Sequence, residues 1–293
     1  MIGGRMATTR FGIMPYDQGA QYVTARTAQF RAFTEELLSA GNAALWKPAV
    51  SPPPNLPDND DDQPLPWYVG TPGMASMILP LAEGIRITTD RGVRALDRTD
   101  GSWTIRFDDD TSVGPFSAVA LSVPAPQAQL LLSSIEEVSS PLQRVKMSPC
   151  WVLMVRLDQR FLPDPDVYSD LSETIRWIAR NNSKPGRPYK GEAIVVCATS
   201  EWSRANKYGE PEAIAEKLWI EACQALSLPP VRPSKMVAHF WRHGLVDEPL
   251  GETYIYSSRF NLGLAGDWCL GQRCEHAFES GSALGRAMIA AMD

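Results

Sequence analysis

Apolar side chains recur at helical spacing in four segments of the chain. A repeat of about 3.6 residues places such side chains on one side of a helix, where they can pack against a core. The clearest case repeats every four residues through Ile214, Leu218, Ala222 and Leu226. The segments predicted to be helices are residues 27–38, 73–82, 212–226 and 275–292.

Shorter segments show the patterns of strands. Residues 103–107 alternate between apolar and polar side chains, and with residues 85–88 and 93–96 they predict an antiparallel meander. Residues 118–123 form a continuous apolar run, which is typical of a strand buried on both faces. Residues 262–265 predict one more short buried strand, before a loop at 266–273. Four further segments predict a second sheet, namely residues 151–157, 175–179, 193–198 and 236–241.

Two segments are predicted to be loops. The opening residues 3–10 begin with two glycines, and we interpret them as irregular. Residues 47–66 are rich in proline and aspartate, which predicts a mobile excursion.

Composition excludes several classes of protein. The 293 residues, 44% of them hydrophobic, are enough for one large domain or two interleaved ones. A net charge of −6 argues against a nucleic-acid partner. The five cysteines show no C-x-x-C spacing, so we expect reduced, mostly buried thiols. No apolar run is long enough for a membrane span and no signal peptide is evident, so the expected location is the cytoplasm, with the oligomeric state undetermined.

The most informative segment joins the last predicted strand to the last predicted helix. Gly266 and Asp267 end that strand, and Glu275 and Ala277 open the helix. Glycine lets the backbone approach a ligand closely, and the aspartate can bind a hydroxyl group. The start of a helix favours an electron-rich partner. This arrangement suits a polyol beside an electron-rich ring.

A stripe of small residues runs along the last predicted helix. Ala277, Gly281 and Gly285 stand four residues apart, so one face of the helix is nearly flat. The simplest explanation is close packing against a sheet, without any ligand. The Gly-Asp pair ahead of the helix favours a cofactor instead.

This segment resembles the C-terminal flavin motif of the amine-oxidase and renalase-like family of FAD-dependent oxidoreductases. The opening residues 3–8 and 17–22 are similar to that family's second phosphate-contacting loop and the stretch after it. Residues 70–74, 183–187, 201–203 and 239–242 resemble the bacterial renalase-like members in particular.

The resemblance implies an FAD site and a substrate wall. The residues implied to contact FAD are Gly3, Gly4, Arg5, Met6, Val93, Gly266, Asp267, Glu275 and Ala277. Gly3 to Met6 would approach the pyrophosphate, Val93 the adenine side, Asp267 the ribityl or phosphate region, and Ala277 the flavin ring. The residues implied to form the substrate wall are Lys184, Arg187, His239, Trp241 and Arg242. Their cationic and aromatic side chains suit an anionic or aromatic substrate.

The sequence also departs from the family pattern. The G-x-G-x-x-G turn between a strand and a helix, with which family members begin, is absent from these residues. A late start codon or a shortened chain explains this better than a natural short form, and FAD binding is expected to be weak if the turn is lacking. His276 replaces the small residue usual before the alanine at the flavin edge.

Other signals carry less weight. Residues 58–62 superficially resemble a calcium loop but lack its glycine and glutamate positions. His239 and His243 lie on a predicted strand, where their spacing does not converge on a metal, so no metal site is expected. No G-x-S-x-G nucleophile elbow appears, which argues against a hydrolase.

The sequence thus predicts an α/β flavoprotein. An incomplete Rossmann-like FAD domain would comprise residues 1–25, 84–130 and 255–293, interleaved with an α+β substrate domain at 26–83 and 131–254 with a mixed or antiparallel sheet. The implied reaction passes a hydride from a small molecule, an isomeric dihydronicotinamide nucleotide, to the flavin, and dioxygen then yields hydrogen peroxide. Alternatives are an oxidase of primary or secondary amines and a non-catalytic relative that has lost FAD.

Overall fold

The computed structural model describes residues 2–51, 65–187 and 190–291. Its helices are α1 (Ala28–Ser39), α2 (Ala125–Leu131), α3 (Glu136–Ser139), α4 (Ser200–Ala205), α5 (Pro211–Ala225) and α6 (Cys274–Ala290). Its strands are β1 (Thr8–Phe11), β2 (Met14–Asp17), β3 (Ala43–Trp46), β4 (Val50–Ser51), β5 (Trp67–Gly70), β6 (Val93–Thr99), β7 (Ser102–Phe107), β8 (Ser112–Phe116), β9 (Val119–Leu121), β10 (Lys146–Leu157), β11 (Val167–Ser169), β12 (Ile175–Arg180), β13 (Glu192–Ala198), β14 (Lys235–Glu248), β15 (Ile255–Ser257) and β16 (Leu262–Leu264).

The chain divides into two compact units. The first comprises Met1–Ile85 and Ser148–Gly244, and the second comprises Arg86–Met147 and Leu245–Asp293. Residues 1–25 therefore group with the unit that contains the large sheet, whereas the sequence assigned them to the FAD domain. Which unit holds the cofactor stays a prediction.

The first unit is built on a six-stranded sheet in the order β14-β10-β13-β12-β11-β4. The pairs β10–β13, β13–β12 and β12–β11 are antiparallel, and β4 joins β11 in parallel. The sheet unites the four strands predicted between residues 151 and 241, so that prediction is confirmed.

Both faces of this sheet are covered. On one face α5 packs Ile214, Leu218 and Ala222 against β12 and β13, as its four-residue repeat predicted. On the other face the β1–β2 hairpin packs Phe11 and Tyr16. We refer below to this second side as the hairpin face.

The second unit contains two small sheets. One is the antiparallel meander β6-β7-β8, and the other has the order β15-β16-β9, with β16 and β9 parallel. The helix α6 contacts β15 and β16. The C-terminal strand and helix were predicted with the correct type, and the helix within two residues at each end.

Several predicted elements are wrong. Residues 85–88 form no strand, and the side chains of Ile85 and Ile87 are exposed because no neighbouring strand pairs with this segment. Residues 73–82 form two 3-10 helices (Met74–Met77 and Leu79–Ala82) instead of one amphipathic helix. Pro80, which has no N–H to donate, lies in the second of them.

Three further predictions need correction. The opening segment is not irregular, because Gly4–Met6 form a 3-10 helix and β1 follows. The strand at 118–123 shortens to β9, where Ala120 is exposed, so it is not buried on both faces. The predicted loop at 47–66 contains β4, whereas residues 52–64, including the acidic run at 58–62, lie outside the described residues.

The described cysteines are all free thiols, and only Cys274 is not fully buried, as predicted. Across the described ranges, no helix combines the length and the apolarity that crossing a membrane requires. Those ranges also hold no group of three His, Cys, Asp or Glu side chains arranged around a metal position.

The packing of α5 gives a test of the fold. Leu218 is fully buried against the sheet, whereas Ile220 on the same helix is 47% exposed. We expect Leu218→Ala to lower the free energy of unfolding by about 2–5 kcal/mol, because it leaves a cavity in the core. Ile220→Ala is the matched control and should change it by less than about 1 kcal/mol. Urea denaturation of both variants measures the difference, and equal losses would contradict this packing.

Candidate functional site

A tight bend joins β16 to α6 in the second unit. The amide of Gly266 donates to Oγ of Ser280 at 3.0 Å, which ties the bend to the helix. Asp267 then begins a 3-10 helix, and its Oδ1 accepts from the amide of Trp268 at 2.8 Å. The aspartate is 7% exposed. A nearly buried carboxylate is thus held at the end of a strand, as the sequence predicted.

Two glycines shape this bend by steric necessity. A Cβ added at Gly266 would lie 2.5 Å from Nε1 of Trp268. Gly271 has a φ of +144°, and a Cβ there would lie 2.8 Å from Nδ1 of His276. Burial lowers the pKa of His276, and the charge of Arg273 lowers it further. His276 therefore lies over the bend, and its ring is neutral at pH 7.

The N-cap residue of α6 makes no side-chain capping hydrogen bond. This residue is Arg273, whose side chain has no hydrogen-bond acceptor. Glu275 is buried in the first turn, with its Oε2 3.7 Å from Nε of Arg273. Ala277 follows and is exposed. The positive end of the helix dipole is therefore directed at the region of the bend.

The two glycines of the small-residue stripe do not pack against the described residues. A Cβ added at Gly281 or Gly285 would meet no atom of the described residues within 4 Å. The helix packs instead through Leu284 and Met288, which lie against Gly263 of β16.

The other predicted FAD contacts lie elsewhere in the chain. Gly3 and Gly4 have positive φ angles of 108° and 50° in the first unit, and the amide of Met6 donates to the carbonyl of Gly3 at 2.8 Å. Nη1 of Arg5 donates to a main-chain carbonyl at 3.4 Å. Val93 opens β6 in the second unit with a 39% exposed side chain. Cofactor contact by these five residues stays a prediction.

The structure gives the two predicted substrate cations a partner within the protein. Lys184 and Arg187 have fully buried side chains, and both donate to Oδ2 of Asp17, at 3.0 Å and 2.7 Å. Oδ1 of Asp17 accepts from the amide of Met74 at 3.0 Å. Nζ of Lys184 also donates to Oε1 of Gln21 at 3.1 Å. These three charged residues, the Asp17 cluster, lie beneath the protein surface, and direct substrate contact by the two cations stays a prediction.

The Asp17 cluster carries one negative and two positive groups. Burial alone would raise the pKa of Asp17, but Lys184 and Arg187 outweigh it and hold that pKa below its ordinary value. Burial lowers the pKa of Lys184 to about 8, because Asp17 only partly offsets desolvation and Arg187 repels the charge. The single carboxylate therefore offsets only part of the cost of burying two cations.

The remaining predicted wall residues lie on β14 and divide between its two faces. The rings of His239 and Trp241 meet edge to face at 4.4 Å on the hairpin face, and Nε1 of Trp241 donates to the carbonyl of Gln18 at 2.7 Å. Burial lowers the pKa of His239, which is therefore neutral at pH 7. Arg242 is exposed and follows Trp241, so the alternation of a strand directs it to the opposite face. The strand thus separates Arg242 from the other two.

Sequence reasoning missed Asp17, although it lies in a quoted motif. The signal available was the pair of cations around a Pro-Gly turn, which require a counter-charge once buried. It also left Arg176 without a role, and no local pattern marks this residue. Its position depends on an irregularity of β12 described below.

Comparison with known proteins identifies the family. Residues 28–282 match the sequence model of the flavin containing amine oxidoreductases, which covers most of the chain. The chain belongs to the flavin-containing amine oxidoreductase family.

Two individual proteins support this membership. Mouse (Mus musculus) renalase is 30% identical over 154 residues, which are 50% of this chain and 43% of renalase. The match therefore spans less than half of that relative. The crystal structure of a "Putative protoporphyrinogen oxidase from Exiguobacterium sp. 255-15" superposes with a TM-score of 0.61 and 13% identity, over 76% of this chain and 52% of that one. The second likeness shows a shared fold.

Members of the flavin-containing amine oxidoreductase family are FAD-dependent oxidoreductases, so FAD is the implied cofactor. The bend in the second unit fits this group. Asp267 supplies a nearly buried acceptor for hydroxyl groups just after β16. The start of α6, whose N-cap residue makes no side-chain capping hydrogen bond, suits an electron-rich ring edge. These two features are the observations that favour a flavin here.

The Asp17 cluster gives a test of the electrostatics. We expect Asp17→Asn to lower the free energy of unfolding by about 3–5 kcal/mol, because it leaves two cations buried without a counter-charge. The control is Asp97→Asn, which breaks the exposed pair with Arg106 and should cost less than about 1 kcal/mol. Lys184→Met should cost less than Asp17→Asn, because one balanced pair remains. Chemical denaturation ranks the three variants, and a smaller loss for Asp17→Asn than for Lys184→Met would contradict the cluster.

The lowered pKa of Lys184 predicts a dependence of stability on pH. Between pH 8 and 10.5 the folded protein holds this amine neutral, whereas the unfolded chain still binds the proton. The free energy of unfolding should therefore rise with pH in this window, with a slope approaching about 1.4 kcal/mol per pH unit. Lys184→Met should lack this contribution. Urea denaturation at half-unit steps checks it, and identical slopes in both proteins would refute the assignment.

Proposed function

We propose that this protein oxidises a small planar substrate by hydride transfer to FAD, and that the substrate is an isomeric dihydronicotinamide nucleotide. The observation that carries the proposal is the Asp267 bend ahead of α6, in a chain that belongs to a flavoprotein family. Bound FAD would supply the hydride acceptor that dioxygen reoxidises. The balanced reaction converts the dihydronicotinamide, dioxygen and one proton into the nicotinamide cation and hydrogen peroxide.

The protein's own contribution is binding and orientation. Asp267 would accept a hydrogen bond from the sugar-alcohol chain of FAD, and the start of α6 would stabilise negative charge on the ring. The neutral rings of His239 and Trp241 on the hairpin face provide a surface for a flat substrate. Trp241 is fixed by its hydrogen bond to Gln18, so this surface is pre-organised.

The cofactor assignment can be tested on the purified chain supplemented with FAD. Removing the carboxylate in Asp267→Ala should weaken FAD binding by about tenfold or more, since hydrogen bonds to charged groups contribute about 1.5–3 kcal/mol. Asp267→Asn is the matched control for folding, because its side-chain oxygen can still accept from the amide of Trp268. The visible spectrum and a titration with FAD measure binding. Unchanged affinity in both variants would place the cofactor elsewhere.

The substrate assignment is tested separately. Isomeric dihydronicotinamide nucleotides, benzylamine and N-methylbenzylamine are offered to the FAD-loaded chain, while flavin bleaching without oxygen and peroxide release with oxygen are followed. We expect bleaching and peroxide with the dihydronicotinamides alone. Turnover of the amines alone would assign an amine oxidase, and a chain that takes up no FAD would be a non-catalytic relative.

A further inference from the structure

A β-bulge in β12 redirects one arginine. Ile175 pairs with Ala198 and Trp177 pairs with Cys197, so Arg176 is an extra residue without a partner on β13. Ile175 and Ile178 both lie in the apolar core with α5, whereas Trp177 packs on the hairpin face. In a regular strand residues 175 and 178 would point to opposite faces, so the bulge accommodates the extra residue and leaves Arg176 and Trp177 together on the hairpin face. Bulges of this kind commonly re-aim a side chain near a functional site.

Among the described residues, Arg176 has no counter-charge on this face. Its charge lowers the pKa of Cys197 and opposes the effect of burial on the pKa of Tyr22, so its guanidinium lies near both groups. Within residues 2–51, 65–187 and 190–291, no carboxylate lies within ion-pair distance of it. Its Nε is buried and donates to no acceptor of these residues. A half-buried cation is costly to leave without an anionic partner.

Three aromatic rings form a cluster that includes Trp177, the residue that follows Arg176. Tyr22 and Trp67 stack in parallel with their centroids 3.8 Å apart, and the ring of Trp177 is tilted 5.9 Å from each. All three side chains are half-buried, so each keeps some exposed surface. Nε1 of Trp177 is a further buried donor without an acceptor among the described residues. The group therefore combines apolar ring surface with two donors that lack acceptors.

The wider electrostatics of the hairpin face favour an anion. The Asp17 cluster has two cations for one carboxylate, and Lys184 is near enough to Cys197 to influence its thiol. Arg26 adds a further positive charge beside Tyr22. A guanidinium binds carboxylate and phosphate oxygens through two parallel hydrogen bonds, whereas adjacent rings bind a flat apolar group.

We propose that Arg176, with Tyr22, Trp67 and Trp177, binds an anionic group attached to a planar ring, and that Arg176 selects anionic over neutral ligands. The assignment rests on the proposed function, because it requires a planar substrate to bind to the first unit. Arg176 acts as a specificity-determining residue, and the rings supply affinity that does not depend on charge.

Calorimetric titration of the full chain, supplemented with FAD, tests the assignment by equilibrium binding. Two ligand pairs differ only in the anionic group: nicotinamide mononucleotide against nicotinamide riboside for phosphate, and nicotinate against nicotinamide for carboxylate. We expect the protein to bind the anionic member of at least one pair about tenfold more tightly. Arg176→Gln should reduce this ratio to near one, and Arg176→Lys should restore part of it.

Two other variants separate the role of charge from a general loss of structure. Trp177→Leu should weaken binding of both members of a pair about equally, because it removes ring surface and no charge. Arg160→Gln is the matched control, since Arg160 is an exposed arginine of the same unit that pairs with Asp164. It should leave both affinities unchanged. Thermal unfolding of each variant confirms that it is folded.

The outcomes distinguish this assignment from the proposed function. The assignment is overturned if Arg176→Gln leaves the ratio of the two affinities unchanged, or if neither anionic ligand binds. This holds even if the chain oxidises a dihydronicotinamide. A ratio that depends on Arg176 supports the assignment even if no oxidation occurs, and then only the proposed reaction fails. The carboxylate and phosphate pairs show which anion the site prefers.

Discussion

The first unit depends on one carboxylate that three separate segments share. Asp17 at the end of β2 accepts hydrogen bonds from Lys184 and Arg187, before β13, and from the amide after the β5 turn. Because all these groups are buried, each of them would be left uncompensated if one segment moved away. The cluster therefore fixes the hairpin relative to the sheet, and it does so without balancing its own charge. The contrast is Arg180, whose cation pairs with three carboxylates, those of Asp164, Asp166 and Glu192.

This incomplete balance has a consequence for the hairpin face. A buried excess of positive charge, together with Arg176, makes the face favourable for an anion. In the proposed site, the two cations that sequence reasoning assigned to the substrate would contribute through its electrostatic field, while Arg176 would make the direct contact.

The Asp267 bend is a different kind of site, because it is built almost entirely from neighbouring residues. Gly266, Asp267 and the start of α6 lie within a dozen residues of one another, and their geometry follows from glycine sterics and helix electrostatics. That is why the amino-acid pattern is enough to recognise this bend, and why it carries the family resemblance. The small-residue stripe beyond it could be recognised, but the pattern alone did not decide between close packing and cofactor contact.

The sequence alone determined the features that local patterns encode: four of the six strands of the large sheet, the helices α5 and α6, the reduced thiols and the flavin motif. Periodicity and glycine positions are properties of neighbouring residues, so they can be read directly from the chain. Tertiary structure decided which charges meet and which way each side chain points. Asp17 meets Lys184 across 167 residues, and one extra residue in β12 turns Arg176 to the hairpin face. Burial and long-range pairing depend on the whole unit, so no local pattern predicts them.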